Sequence, residues 1–225
     1  MIKVVSLNKS YGKKKILENV HLSFEPGKVY GVVGKNGAGK TTLFKCLLGL
    51  EHYEGTVEST FGSLKNTTGY LPTDPYFLSY LTGKEYLQLM CNARDIKISS
   101  FTHKNIFNLP LHQYASTYST GMKKKLALTG ILLQKNEVFI LDEPNNGVDI
   151  ESNILISAVI QRLKELNKTV ILSSHIFSTL EENCDTLYYI KSGSVSEPIG
   201  KGHFSEVQAQ LTGDEHGISL KDFDF

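Results

Sequence analysis

Nine residues constrain this chain more than any others: Gly34-Lys35-Asn36-Gly37-Ala38-Gly39-Lys40-Thr41-Thr42 fits G-x-x-x-x-G-K-[ST] and follows the apolar run Val29-Tyr30-Gly31-Val32-Val33. Glycines at 34, 37 and 39 let the backbone take positive-φ turns and approach a ligand closely. Successive N–H groups then point into one concavity that fits a polyphosphate. After Gly39 the spacing becomes helical, with Leu43, Phe44, Leu47 and Leu48 on one face, so the positive end of a helix dipole faces the same anion. In such a loop Lys40 reaches the β- and γ-phosphates, the Thr41 hydroxyl is a Mg²⁺ ligand, and Thr42 adds a hydroxyl near the α-phosphate.

The second chemical signal lies a hundred residues on. Val138-Phe139-Ile140-Leu141 is the short apolar run of a strand buried on both faces, and it ends in Asp142-Glu143-Pro144. Two adjacent carboxylates at the end of a buried strand are costly unless they bind metal or do chemistry. Asp142 is suited to hold Mg²⁺ through water, and Glu143 to act as the base for an attacking water. A further apolar strand, Thr169-Val170-Ile171-Leu172, ends in Ser173-Ser174-His175. At the carboxyl end of a core strand His175 reads as a γ-phosphate contact.

Around these signals the spacing predicts antiparallel strands over 2–7 and 20–24, with Tyr11 on the loop between them, where it could stack on a base. A short strand is expected after Tyr53 and a strand end at Gly69-Tyr70-Leu71. Thr82-Gly83-Lys84-Glu85 is a capping box for a helix to about Arg94, its apolar set being Tyr86, Leu87, Leu89, Met90 and Ala93. Residues 95–117 read as irregular, with at most one short helix. Ser119 is a helix N-cap, and a helix from Glu151 to Leu166 is expected to turn Leu155, Val159, Leu163 and Leu166 inward. Strands at 186–190 and Ser194-Val195 close the sheet, Phe204, Val207 and Leu211 keep helical spacing, and 214–225 is an acidic tail.

Composition bounds the partners. A formal charge of +1, from 24 basic and 23 acidic residues, attracts neither nucleic acid nor anionic lipid globally. Cys46, Cys91 and Cys184 are scattered and form no C-x-x-C, which suits a reducing cytosol. No apolar run approaches the ~18 residues that would span a bilayer, so a soluble protein is expected.

Taken together, these residues resemble the nucleotide-binding subunit of ABC transporters, from about Ile2 to about Gly200. Residues 34–42 match the family's Walker A motif, 138–142 with Glu143 match Walker B and the catalytic glutamate, and 145–149 match the D-loop that ends at Asp149. Tyr118-Ser119-Thr120-Gly121-Met122 stands where the LSGGQ signature belongs and keeps Ser119 and Gly121. Such spellings resemble the multisubunit drug and bacteriocin exporter branch. His175 is the switch histidine and Tyr11 the adenine-stacking aromatic. The chain departs from the pattern at Thr73, where the family carries a glutamine that contacts Mg²⁺ and relays to the membrane subunit. The stretch between Arg94 and Tyr118 is also short for the family.

The resemblance implies an α/β fold of the P-loop NTPase type: a parallel core sheet flanked by helices, an N-terminal antiparallel β-subdomain and a small helical subdomain at about 76–130. The whole of 1–225 is then a single ABC ATPase domain, with a C-terminal extension from about residue 200. It implies an ATPase in which two ATP molecules and Mg²⁺ are sandwiched in a head-to-tail homodimer. Ser119 and Gly121 of one subunit would meet the γ-phosphate bound to the other. Hydrolysis uses Glu143 as base, with Lys40 and His175 stabilising charge, and drives a separate integral-membrane permease subunit from the cytoplasmic face of the membrane. Two alternatives stay open: a soluble ABC-type ATPase outside transport, and a nucleotide-binding regulatory module with impaired turnover.

Overall fold

The computed structural model describes residues 1–213; the expectation of an acidic tail over 214–225 lies outside them. The chain opens with β1 (Ile2–Tyr11) and β2 (Lys14–Phe24), an antiparallel hairpin with Tyr11 opposite Lys14. Both strands outrun the alternation at 2–7 and 20–24. Register shifts between Val4 and Ser10, with Ser6 and Asn19 both at φ 49, interrupt the two-residue period without ending the ladder. Tyr11 therefore stands at a strand end, not on a loop.

β3 (Val29–Val33) runs into α1 (Lys40–Leu47) across the glycine-rich loop. β4 (Glu54–Ser59) joins the free edge of β1, completing a three-stranded sheet in the order β2-β1-β4. A single turn, α2 (Leu64–Thr67), precedes β5 (Thr68–Leu71). α3 (Gly83–Asn92) starts at the expected capping box: the Glu85 N–H donates to Thr82 Oγ1 at 3.2 Å, and the Thr82 N–H to Glu85 Oε2 at 2.8 Å. The helix ends short of Arg94. It buries Leu87 and Cys91, while Leu89 is half exposed and Ala93 exposed, so the inward face is narrower than its apolar set implied.

Between α3 and α4 (Thr120–Leu133) lie two 3-10 turns, Thr102–Lys104 and Ala115–Thr117, and no α-helix. Pro110 and the left-handed Asp95 and Asn108 keep this stretch irregular. β6 (Val138–Asp142) is followed by α5 (Ile150–Glu165), capped by Asp149, whose Oδ1 accepts the Ser152 N–H at 2.8 Å. The buried face of α5 is Ser152, Ile156, Ile160 and Leu163, whereas Leu155 and Val159 are half-buried and Leu166 is half exposed. That stripe is turned from the expected one by roughly 60°, less than one residue of helix, and the two share Leu163. Both stripes are apolar, and the cap at Asp149 together with the sheet beneath decides between them.

The chain closes with β7 (Thr169–Ser173), α6 (Phe177–Asn183), β8 (Thr186–Lys191), β9 (Ser194–Val195), β10 (Ile199–Gly200) and α7 (Phe204–Gly213). The second sheet has the order β10-β8-β3-β7-β6-β5. β8, β3, β7, β6 and β5 run parallel, and β9 and β10 lie antiparallel to β8. Thus β3, which carries the glycine-rich loop, is flanked on both sides by strands from the far end of the chain.

Alternate residues of each parallel strand feed two cores. Val29, Val33, Phe139, Leu141, Val170 and Leu172 pack with α3 to α7. Tyr30, Val32, Val138, Ile140 and Ile171 pack with α1 and the antiparallel sheet. An aromatic trio joins the two sheets: Phe24 meets Tyr30 edge-on at 5.0 Å and Tyr188 at 5.6 Å. Their hydroxyls bond the backbone of the adjoining turn, Tyr188 donating to Ser23 O at 2.7 Å and Tyr30 accepting the Glu25 N–H at 2.7 Å.

Candidate functional site

The loop after β3 curls round its own lysine. Lys40 Nζ donates to Gly34 O at 2.7 Å and Lys35 O at 3.3 Å, which holds the ammonium inside the ring of backbone amides. Burial lowers the Lys40 pKa, and the charges of Glu143 and Asp142 oppose that shift. Two glycines are obligatory for different reasons. A Cβ on Gly34 would lie 2.6 Å from Ile190 O, and Gly39, the N-cap of α1, sits at φ 113, a region L side chains rarely adopt.

Opposite the loop, the end of β6 presents its two carboxylates differently. Asp142 is buried and accepts two short hydrogen bonds, from Thr41 Oγ1 and Ser173 Oγ, both at 2.6 Å. Glu143 turns out of the strand at φ 53. Its N–H donates to Ser173 Oγ at 3.0 Å, and its Oε2 accepts the His175 N–H at 3.2 Å and lies 2.7 Å from His175 Nδ1. Sequence reading gave Glu143 and His175 separate tasks; the fold puts them in contact. It did not single out Ser173, although that serine ties the Asp142 carboxylate and the Glu143 N–H to β7, and its place at a core-strand end was the available signal.

These groups line one open cavity of about 490 Å³. Its walls include Asn36, Gly37, Gly39, Lys40, Thr41, Thr42, Asp142, Glu143 and His175, all singled out in the sequence, together with Ile16, Thr73 and Asn146. Gly34 and Lys35 face a neighbouring cavity beside α7, and Ala38 packs on the core below. The oxygen-only donors Thr41 and Asp142, already in contact, suit a hard divalent cation such as Mg²⁺. Among the described residues no cluster of three His, Cys, Asp or Glu side chains could hold a metal ion.

Tyr11 is not a wall of that cavity. Its hydroxyl interacts with Glu51 and with Thr42 of the loop, and Lys9 Nζ lies 4.5 Å from its ring centroid while pairing with Glu51 at 3.0 Å. The ring is thus braced at the loop's edge, with about half its surface exposed.

Ser119, Gly121 and Asp149 also stand apart from the cavity. Ser119 is exposed and caps α4, accepting the Met122 N–H at 3.3 Å. Asp149 is bonded within the chain to Ser152 and, at 3.0 Å, to Lys125; those bonds hold its carboxyl well below the usual carboxylate range. Gly121 is buried, and a Cβ there would lie 2.6 Å from Gly147 O. A side chain at 121 would displace the turn before α5 and not project toward a ligand. Lys124, one turn further along α4, is 1% exposed and donates to Glu143 O and Asn146 O.

The family model described as ABC transporter matches residues 17–146. The bacitracin transport ATP-binding protein BcrA of Enterococcus faecalis is 32% identical over 88% of this chain and 69% of its own. The lantibiotic transport ATP-binding protein SrtF of Streptococcus pyogenes is 32% identical over 87% of this chain and 89% of its own. A solved ATP-binding subunit of an ABC transporter superposes with a TM-score of 0.80, at 24% identity, over 99% of this chain and 97% of that one. A dimeric ATP-binding cassette in a post-hydrolysis state, bound to ADP and Pi, superposes at 0.79 and 18% identity over 89% of this chain and 99% of that one. Matched by the family model over more than half its length, and about a third identical to transport ATP-binding proteins along most of it, the chain belongs to the ABC transporter family as an ATP-hydrolysing, ATP-binding subunit.

Proposed function

We propose that this protein works as an ATP-sandwich homodimer that powers a separate membrane-spanning subunit of the drug and bacteriocin exporter branch, from the cytoplasmic face of the membrane. Bacitracin and lantibiotic transport in the relatives' names supports that branch. No helix among the described residues is long and apolar enough to cross a membrane. The single observation that carries the reading is the division of the site: Lys40, Thr41, Asp142, Glu143 and His175 share one cavity, while Ser119 faces solvent elsewhere. Ser119 is therefore placed to serve a second copy. In this proposal 1–225 is one ABC domain, with a helical subdomain at 76–130 and an extension from about 200.

Within the site, the loop amides and Lys40 bind the β- and γ-phosphates, and Thr42 and the braced Tyr11 take the α-phosphate and the base. Thr41, and Asp142 through water, would hold Mg²⁺, which would supply charge neutralisation to the phosphates. Glu143 accepts the proton of the attacking water, and His175 orients that carboxylate before contacting the γ-phosphate. Ser119→Asp tests the two-copy arrangement better than a change at buried Gly121. Aspartate keeps the N-cap yet sets a negative charge against the partner's γ-phosphate. We expect parental nucleotide affinity in the monomer and no ATP-driven dimer in gel filtration. Loss of affinity in the monomer would contradict the arrangement.

Thr73 lies in the cavity wall, and an exposed aromatic patch follows it directly: Tyr76 is 81% and Tyr80 84% exposed, with Leu78 between them and Tyr114 edge-on to Tyr80 at 6.3 Å. An exposed patch of this kind supports a protein-docking face, and its closeness to Thr73 supports coupling to hydrolysis. Detergent extraction tests it: the membrane subunit co-purifies with the parent and not with Tyr80→Asp, whose own hydrolysis is unchanged. Equal recovery would remove the docking face.

Thr73 is also the one feature that favours the regulatory reading. A threonine hydroxyl reaches less far than a glutamine amide, so the attacking water is positioned less well. Even ~1 kcal/mol lost there slows turnover about fivefold. Slow basal phosphate release is expected, raised by Thr73→Gln and nearly indifferent to Thr73→Ala. If Thr73→Ala cuts the rate about tenfold, the hydroxyl is itself a positioning group.

A further inference from the structure

The buried lysine of α4 has a task that the proposed mechanism leaves unused. Lys124 Nζ donates to Glu143 O at 2.7 Å and to Asn146 O at 3.0 Å, at 1% exposure. A buried ammonium is costly, so its place needs a return that an apolar side chain of the same length would not give. The acceptors identify that return. Glu143 adopts φ 53, where a non-glycine residue is strained, and its carbonyl turns away from the β6 ladder. The same carbonyl accepts the Asn146 N–H at 3.2 Å, closing the turn that leads to α5.

Glu143 is thus gripped at three points. Ser173 holds its N–H, His175 its carboxylate and Lys124 its carbonyl. Ser173 and His175 both belong to the end of β7; Lys124 is the grip that comes from α4. Burial lowers the Lys124 pKa, and the charges of Asp74, Glu143 and Asp142 oppose that shift. Lys124 therefore stands where the end of β6 meets the turn before α5.

We infer that Lys124 is a positioning residue for ATP hydrolysis, fixing the strained backbone at Glu143 so that its carboxylate points into the nucleotide cavity and tying that geometry to the helix capped by Ser119. The inference rests on Glu143 being the base. It adds a role in α4 acting on the chain's own site, separate from any contact α4 makes across a dimer.

The test uses the full chain with Lys124→Met, which keeps length and removes the donor, and Lys124→Gln, whose shorter amide keeps a donor. Phosphate release gives kcat and KM, a fluorescent-nucleotide titration gives affinity, and Glu143→Gln runs alongside. Without its grip the carboxylate samples unproductive directions while the phosphate loop is untouched. For Lys124→Met, kcat is expected to fall about tenfold or more, with KM and affinity within about threefold of the parent. Lys124→Gln should fall between Lys124→Met and the parent. Either variant alone decides if the other does not fold. A fall in kcat with steady KM supports the role; unchanged kcat, or KM moving in step with kcat, overturns it. If Glu143→Gln turns over at the parental rate, the reading of the base has failed. If Glu143→Gln is inactive and Lys124→Met is not slowed, the positioning role alone has failed.

Discussion

Glu143→Gln is expected to bind ATP as the parent does and to hydrolyse it at least about a hundredfold more slowly, the lower end of what a positioned general base contributes. The amide nearly matches the carboxylate in shape, so the contact with the His175 N–H and the φ 53 backbone survive. What disappears is the capacity to take a proton. Because ATP stays intact, the closed dimer cannot reopen by hydrolysis, and gel filtration with ATP should shift the variant from monomer to dimer while the parent stays largely monomeric. Parental phosphate release from the variant would end the assignment. His175→Ala separates the two members of the contact: it removes the Nδ1 partner at 2.7 Å but leaves the base, so a smaller loss is expected.

Lys40→Ala should fail a step earlier. Its ammonium is held by Gly34 O and Lys35 O at the centre of the loop, so the positive charge is in place before nucleotide arrives. Charge-assisted hydrogen bonds contribute roughly 1.5–3 kcal/mol each. Loss of two to the β- and γ-phosphates weakens affinity on the order of 10²–10⁴-fold. A nucleotide titration reads this directly, and a loss under about fivefold would remove Lys40 from phosphate binding. The folding stability of the variant is expected to change little, since the hydrogen bonds of the lysine go only to two carbonyls of the loop and to no core group. The pair of variants thus splits binding from chemistry: one holds ATP without cleaving it, the other does not hold it.

The nucleotide half of the site was legible because its chemistry is contiguous. A glycine-rich loop needs its glycines, lysine and threonine at fixed offsets, and a buried strand that ends in two carboxylates carries its own warning. All the residues so marked between Asn36 and Thr42, apart from Ala38, line the cavity with Asp142, Glu143 and His175. What could not be read depends on contacts distant in sequence. Lys124 is the middle of Lys123-Lys124-Lys125, a run that by pattern alone belongs to solvent, and the approach of the β6–α5 connection is what buries it. Nor does the pattern show that Gly147 O lies where a Cβ on Gly121 would stand. The face of α5 was ambiguous because its isoleucines and leucines satisfy two adjacent stripes. The hairpin of β1 and β2 was underestimated because its bulges break the two-residue period that marks a strand.

The placement of β3 between β7 and β8 also sets a schedule for the chain's birth. The phosphate loop leaves the ribosome early, but neither hydrogen-bonding neighbour of its strand exists until 169–173 and 186–191 have been made. At ~5–20 residues per second the delay is roughly 10–30 s, and both closures span long loops, the slow kind of contact to form. Throughout that interval Val29, Tyr30, Val32 and Val33 are an apolar strand without a sheet, a segment for chaperones to shield. ATP stabilises only what can bind it. The nucleotide therefore offers no help to the nascent chain and becomes a ligand only when the last third of the protein has joined the first.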